Sequence, residues 1–218
     1  MKKKIIISIL IIIFLYIIFC LGVTGSMGRK IKFFTIYNLD LWRTYSSQST
    51  SSGEGSELKN TKLILKLIPL IVKKYNINTI LDCGCGDMNW MKLVLKNPTM
   101  KHIKYLGIDL VMANTNKKLF PQYDFKKLDI VTNKLPNYDL AIAKDVFIHL
   151  SNNEIKKTIK NMKKSGIKYL LCDVNKASTN NDLVAHYRTI NLSISPFNLN
   201  SIEYFETDGN DKSYNLYK

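Results

Sequence analysis

The stretch "TILDCGCGDMNW", residues 79–90, sets a short apolar run before two glycines, two cysteines and two aspartates. "INTILDC" reads as a buried strand, and the glycines end it in a turn. In an open α/β sheet, ligands bind beyond the C-terminal ends of the strands. Gly84 and Gly86 permit positive φ and close backbone approach. A helix starting near Asp87 would point free N–H groups toward a ligand. Four chemistries compete for this loop. Zinc needs about four ligands, and Cys83 and Cys85 lack a second pair at suitable spacing. A redox pair usually reads C-x-x-C rather than C-x-C. A dinucleotide loop wants G-x-G-x-x-G; Asn89 holds the third position, although Asp109 lies where a ribose-binding acid would stand. A sulfonium cofactor is the fourth.

Outward from the loop, strands and helices alternate. "NTKLILKLIPLIVKKY" predicts a helix with Asn60 as N-cap and a kink at Pro69. "DMNWMKLVLKN" predicts a helix stopping before Pro98. "HIKYLGID", "YDFKKLDI", "YDLAIAKD" and "IKYLLCDV" predict four further strands. "SNNEIKKTIKNMKKSG" predicts a helix opened by a Ser151–Glu154 capping box and closed by Gly166. "SIEYFET", "DGND" and "KSYNLYK" predict a terminal β-hairpin. The expected fold is therefore α/β, a doubly wound, mostly parallel sheet finished by an antiparallel hairpin.

The chain has 218 residues and a formal net charge of +15. Its hydrophobic share of 46% is enough for a packed core. Residues 1–32 hold six bases and no acid, so the remainder carries an excess of +9. Such an excess attracts nucleic acid, an anionic membrane or an acidic substrate. Solvated helix faces such as "KKTIKNMKK" also account for it, and no aromatic-interleaved basic cluster is present. The four cysteines, Cys20, Cys83, Cys85 and Cys172, lack the spacing of a disulfide framework.

Residues 5–23 form a nearly unbroken apolar run after Lys2, Lys3 and Lys4. Roughly 20 such residues span a ~30 Å hydrocarbon core, so an N-terminal transmembrane helix is expected over residues 1–25. The expectation that follows is a single-pass protein in a viral or host membrane, with the domain after the span in the cytosol. Residues 26–57 are expected as a juxtamembrane segment with a Ser/Gly-rich loop, "SSQSTSSGEGS". Trp42 and Tyr45 before that loop favour some docking, since a pure linker needs no aromatics.

With these residues in place, the chain resembles class I S-adenosylmethionine-dependent methyltransferases. The loop residues Asp82-Cys83-Gly84-Cys85-Gly86 match that family's D-x-G-x-G, and Asp109, ending "YLGID", matches its ribose-binding acid. "KKLDI" matches the stretch beside the adenine, with Asp129 near the exocyclic amine and Ile130 against the ring. "YDLAIAKDVFIHL" resembles the fourth strand and following turn, and the hairpin resembles strands six and seven of a Rossmann-like seven-stranded sheet. The resemblance covers about residues 58–218, the expected methyltransferase domain. A narrower resemblance, through "SSGEGSEL", "DCGCGDMNWM", "KDVFIHLS" and "YRTINLSISPFNL", is to a group of small, mostly uncharacterised bacterial and viral methyltransferases. Lys144 stands where that group commonly has arginine, and no clear proline follows "PFNL".

The resemblance implies S-adenosyl-L-methionine as cofactor, held by Asp82, Gly84, Gly86, Asp87, Trp90, Asp109, Asp129, Ile130 and Lys144. Trp90 either walls the cofactor or packs in the core, and Lys144 either serves the site, drawing in an acidic substrate, or is solvated. Asp145 and His149, beyond the fourth strand, are the candidate catalytic pair. Asp145 would orient or deprotonate the nucleophile, and His149 is either a base or a structural imidazole. Arg188 and Asn191 either contact substrate or brace a loop. Residues 53–56 would fold over the cofactor. No metal is implied. The expected partners are a membrane, through residues 5–23, and a methyl acceptor. That acceptor is a lipid, small molecule, protein or glycan, with nucleic acid left open by the basic surface. A monomer is expected. A non-catalytic relative of the same fold and a nucleotide-dependent oxidoreductase are the competing functions.

Overall fold

Ile80, Leu81 and Cys83 are fully buried. This matches a strand covered on both faces, as parallel sheets require. The computed structural model describes residues 25–43, 50–177, 179–181, 187–207 and 212–218. Its strands are β1 (Thr79–Cys83), β2 (Lys104–Ile108), β3 (Asp124–Lys126), β4 (Leu140–Ala143), β5 (Tyr169–Asn175), β6 (Ser201–Glu206) and β7 (Lys212–Tyr217). They form one seven-stranded sheet in the order β3-β2-β1-β4-β5-β7-β6. The first five pair in parallel; β7 runs antiparallel to both β5 and β6. The strand order reverses between β1 and β4, the switch point at which such sheets open a crevice.

Among the described residues five helices flank the sheet: α1 (Gly25–Asn38), α2 (Leu58–Lys74), α3 (Met91–Leu95), α4 (Ala113–Leu119) and α5 (Asn152–Lys164). On one face Ile64, Ile68 and Ile71 of α2 and Met91 of α3 pack with Ile80 and Leu140. On the other, Ile155 and Met162 of α5 pack with Leu81, Ala141 and Cys172. Each fully buried branched side chain contributes about 1.5–3 kcal/mol, so both layers hold the strand ends in fixed positions. The capping box of α5 is complete: Glu154 N–H donates to Ser151 Oγ (3.3 Å) and Ser151 N–H to Glu154 Oε2 (2.9 Å). Gly166, at φ 76°, follows the helix end.

Two local expectations change. Helix α2 starts at Leu58, and Asn60 instead donates to the Glu54 carbonyl (2.9 Å). The 3-10 turn Glu54–Ser56 leads directly into it, and the helix runs on through Pro69. Helix α3 begins at Met91 rather than near Asp87. Met88 takes φ 62°, and the Asp87 N–H is spent on Ser52 Oγ (2.9 Å).

The largest correction concerns the N-terminus. Among the described residues no helix is long and apolar enough to cross a membrane. The transmembrane helix is therefore not part of the observed architecture, and the single-pass placement built on it is not supported. Residues 5–23 lie outside the described residues. One basis of that expectation also fails physically. Orientation of such a segment follows its flanking bases, and Arg29, one of the six in residues 1–32, is buried and pairs with Asp129 (2.7 Å) and with Glu154. Its charge is neutralised inside the fold.

Candidate functional site

A cavity of about 1160 Å³ opens at the C-terminal ends of β1, β2, β4 and β5. Its floor is the loop after β1. Gly84 takes φ 75° and donates to the Ile108 carbonyl (2.8 Å). A Cβ there would stand 2.7 Å from Val146 Cγ2. Gly86 takes φ 53° and donates to Asp109 Oδ2 (3.2 Å); a Cβ there would stand 2.4 Å from Ser52 Oγ. Both positions combine left-handed backbone with a close neighbour, which only glycine tolerates.

Asp109 joins the ends of β1 and β2. Besides Gly86, it accepts from Val111 N–H (2.8 Å) and Met112 N–H (3.0 Å). Burial pushes its carboxyl above the ordinary range, against those three bonds. Asp82 accepts from Tyr105 O–H (2.7 Å). Burial pushes it to about 7, opposed by that bond and reinforced by the charge of Asp109. Cys83 and Cys85 are buried, and burial raises their thiols well above the ordinary value. They remain protonated at neutral pH, which suits neither a zinc ligand nor a redox nucleophile.

The roof comes from the N-terminal segment. Asp87 Oδ2 accepts from Thr50 Oγ1 (2.7 Å) and Ser51 N–H (2.8 Å), and Asn89 donates to the Ser56 carbonyl (2.9 Å). The Ser/Gly loop is thus stitched over the floor. From α1, Arg29 and Tyr37 line the cavity, with the Tyr37 hydroxyl 3.1 Å from Ser52 Oγ. Asp129 Oδ2 accepts from Arg29 and Oδ1 from Val131 N–H (2.9 Å). Burial would raise the Asp129 carboxyl, but the Arg29 bond and charge hold it below its usual range. Ile130 and Trp90 complete this half of the lining.

Beyond β4, Lys144 donates to the Gly55 carbonyl (2.7 Å) and pairs with Asp145. Asp145, at φ 54°, also pairs with Lys212 Nζ (2.8 Å). Burial works against ionisation there, yet Lys144 and Lys212 win and hold the carboxyl far below the usual range. His149 stacks on Trp42 (ring centroids 5.3 Å, 24° between planes) and meets Phe33 edge-on.

The structure brings Asp82, Gly84, Gly86, Asp87, Trp90, Asp109, Asp129, Ile130, Lys144, Asp145 and His149 into one lining. Arg188 and Asn191 are not in it. Arg188 donates to the Leu150 carbonyl and to Asn152 Oδ1, and Asn191 to the Ala177 carbonyl. Sequence reading missed Arg29, Phe33, Tyr37, Asp173 and Lys212, all of which line the cavity. Asp173 ends a strand just as Asp109 does, and that position was a usable signal. Nothing in the pattern of α1 marked its residues.

In strand order and topology the chain is similar to solved structures of methyltransferases. No protein-family model matches the chain, and no curated protein matches it. Solved structures do. Magnesium protoporphyrin IX methyltransferase from Synechocystis PCC 6803, with bound SAH, is 14% identical with a TM-score of 0.61, over 84% of this chain and 95% of that one. The methyltransferase domain of bacterial CtHen1-CN is 14% identical with a TM-score of 0.54, over 74% and 100%. Human N-acetylserotonin methyltransferase in complex with SAM is 11% identical with a TM-score of 0.51, over 88% and 70%. At these identities the likeness is one of fold.

Proposed function

We propose that the chain is an S-adenosylmethionine-dependent methyltransferase. The observation that carries this reading is the junction of Asp109 with Gly86. A strand-end carboxylate is tied to a glycine loop inside one cavity, and a Cβ at Gly84 or Gly86 would collide with Val146 or Ser52. Two neighbours of the same fold are described with SAM or SAH bound. The cofactor supplies a methyl group already activated by positive sulfur. The residues that would hold it are Asp82, Gly84, Gly86, Asp87 and Asp109 on the floor, with Trp90, Asp129 and Ile130 along the wall. Lys144 closes the Ser/Gly loop through Gly55. What the chain adds is position, since orientation alone accounts for much of such a rate. It also excludes water beneath α1 and residues 50–56. His149 belongs to the aromatic wall with Trp42 and Phe33.

Calorimetric titration of the full chain with S-adenosylmethionine and S-adenosylhomocysteine tests the reading. Micromolar binding of both is expected, and absence of binding by folded protein ends it. Asp109→Ala removes charge-assisted hydrogen bonds worth about 1.5–3 kcal/mol each. A loss of affinity of about 100-fold or more is expected.

A further inference from the structure

Asp173 ends β5 and lines the cavity, buried to all but 5% of its surface. Its Oδ1 accepts the Asp145 N–H at 2.6 Å. Its Oδ2 is buried and accepts no hydrogen bond among the described residues. Lys212 Nζ lies 3.8 Å from that oxygen. We propose that Asp173 takes the proton of the methyl acceptor, and that the acceptor presents a hydroxyl between Asp173 and Lys212. The proposal rests on the methyltransferase reading above.

Asp145 and Asp173 face the same space and differ in what they can do. Asp145 is clamped by Lys144 and Lys212, so a proton placed on it would break two ion pairs. Asp173 has one oxygen free of hydrogen bonds. Burial first, then the charge of Asp145, push its carboxyl up to about 7, against the opposing charges of Lys212 and Lys144. A base near neutrality is the efficient one for a proton transfer in cells. Tyr214 of β7 also faces this pair, and its phenol is raised by burial and by the charges of Asp173 and Asp145. It stays protonated and does not compete as a base.

The separation of 3.8 Å between Oδ2 and Nζ suits a hydroxyl acceptor. An acceptor oxygen at hydrogen-bond distance from both would bridge that separation, with a small shift of the lining to uncover the buried Oδ2. It would donate to Asp173 and accept from Lys212. As its proton leaves, the growing negative charge lies beside an ammonium. A protonated amine acceptor would instead meet Lys144 and Lys212 with like charge. In the balanced step the hydroxyl oxygen bonds to the methyl carbon, and the carbon–sulfur bond breaks with its electron pair going to sulfur. The hydroxyl proton passes to Asp173.

Sinefungin is a cofactor analogue that carries an ammonium near the place of the transferred methyl; S-adenosylhomocysteine carries nothing there. Both share the methionine ammonium, so any contribution of Asp82 cancels in their ratio. Sinefungin favours ionised Asp173. Its affinity relative to S-adenosylhomocysteine should fall about tenfold per pH unit below pH 7 and level off above. Calorimetry at pH 6, in buffers of different ionisation enthalpy, should show close to one more proton released with sinefungin. This arm uses the unaltered protein. Asp173→Asn should abolish the pH dependence; Asp145→Asn, which removes one of the charges that raise Asp173, should keep a pH dependence but move it to lower pH. An equal proton release for both ligands overturns the proposal, as does a pH dependence that survives Asp173→Asn. Failure of S-adenosylhomocysteine to bind at all overturns the methyltransferase reading instead. With carbon-13 methyl-labelled cofactor and an extract of cells that produce the protein, the label should appear as O-methyl; an N-methyl or S-methyl product overturns the hydroxyl assignment.

Discussion

Asp109 and Arg29 stand in the same cavity, one in its floor and one in its roof, and they are held in different ways. Asp109 is fixed by backbone N–H groups of Gly86, Val111 and Met112, close to the ends of neighbouring strands. Arg29 is fixed by two carboxylates from distant parts of the chain, Asp129 and Glu154. The floor is a property of the sheet. The roof is a property of long-range charge pairing, and it is the part that a single substitution can lift.

The largest effect should come from Arg29→Ala. It leaves two buried carboxylates without their cation, a loss of about 3–5 kcal/mol for a broken buried pair. Hydrogen exchange should speed up across Gly25–Asn38 while β1, β4 and β5 stay protected. Equal protection of α1 in parent and variant would show that the roof is held by something else. Gly84→Ala attacks the floor. The strained φ and the clash with Val146 should cost about 2–3 kcal/mol in denaturant melts. Shortening Val146 to alanine in the same chain should recover part of it, and no recovery would leave the backbone angle as the whole cause.

The smallest effect is a slope with pH, of at most about 1.4 kcal/mol per unit for each proton linked. Floor and roof should tilt in opposite directions. Asp82 and Asp173 are raised to about 7, so the folded chain holds protons there that the unfolded chain has lost. Their contribution to stability therefore falls as pH rises from about 4 to 7. Asp129 and Glu154 are lowered by their partners, so their contribution is present above the ordinary carboxylate range and is lost in acid. Exchange of α1 against that of β1, followed from pH 4 to 8, should separate the two trends. Parallel trends would remove the distinction.

The same contrast explains what was legible in the sequence. The glycine loop, Asp109 and the alternation of strands and helices are local patterns, and the structure joins them as expected. So is the capping box of α5, where both partners lie three residues apart. The roof has no such signature. The buried residues of α1 are Gly28, Arg29, Lys32, Thr35 and Ile36, of which only Ile36 would mark an apolar stripe. Arg29 therefore reads as a surface or flanking charge until its partners at 129 and 154 are seen. Asp173 was hidden differently. Within "YLLCDV" it looks like a polar residue at a strand end, and only burial and an unbonded oxygen set it apart.

Arg29 also has a consequence for the order in which the chain assembles. It precedes Asp129 by 100 residues and Glu154 by 125. At roughly 5–20 residues per second, α1 leaves the ribosome on the order of ten seconds before either carboxylate exists to receive it. Until then only nearer contacts, such as Tyr37 with Ser52 and Phe33 with Trp42, are open to it. The first described helix to be made thus waits for α5 before its buried charge is paired, with β5, β6 and β7 still to follow.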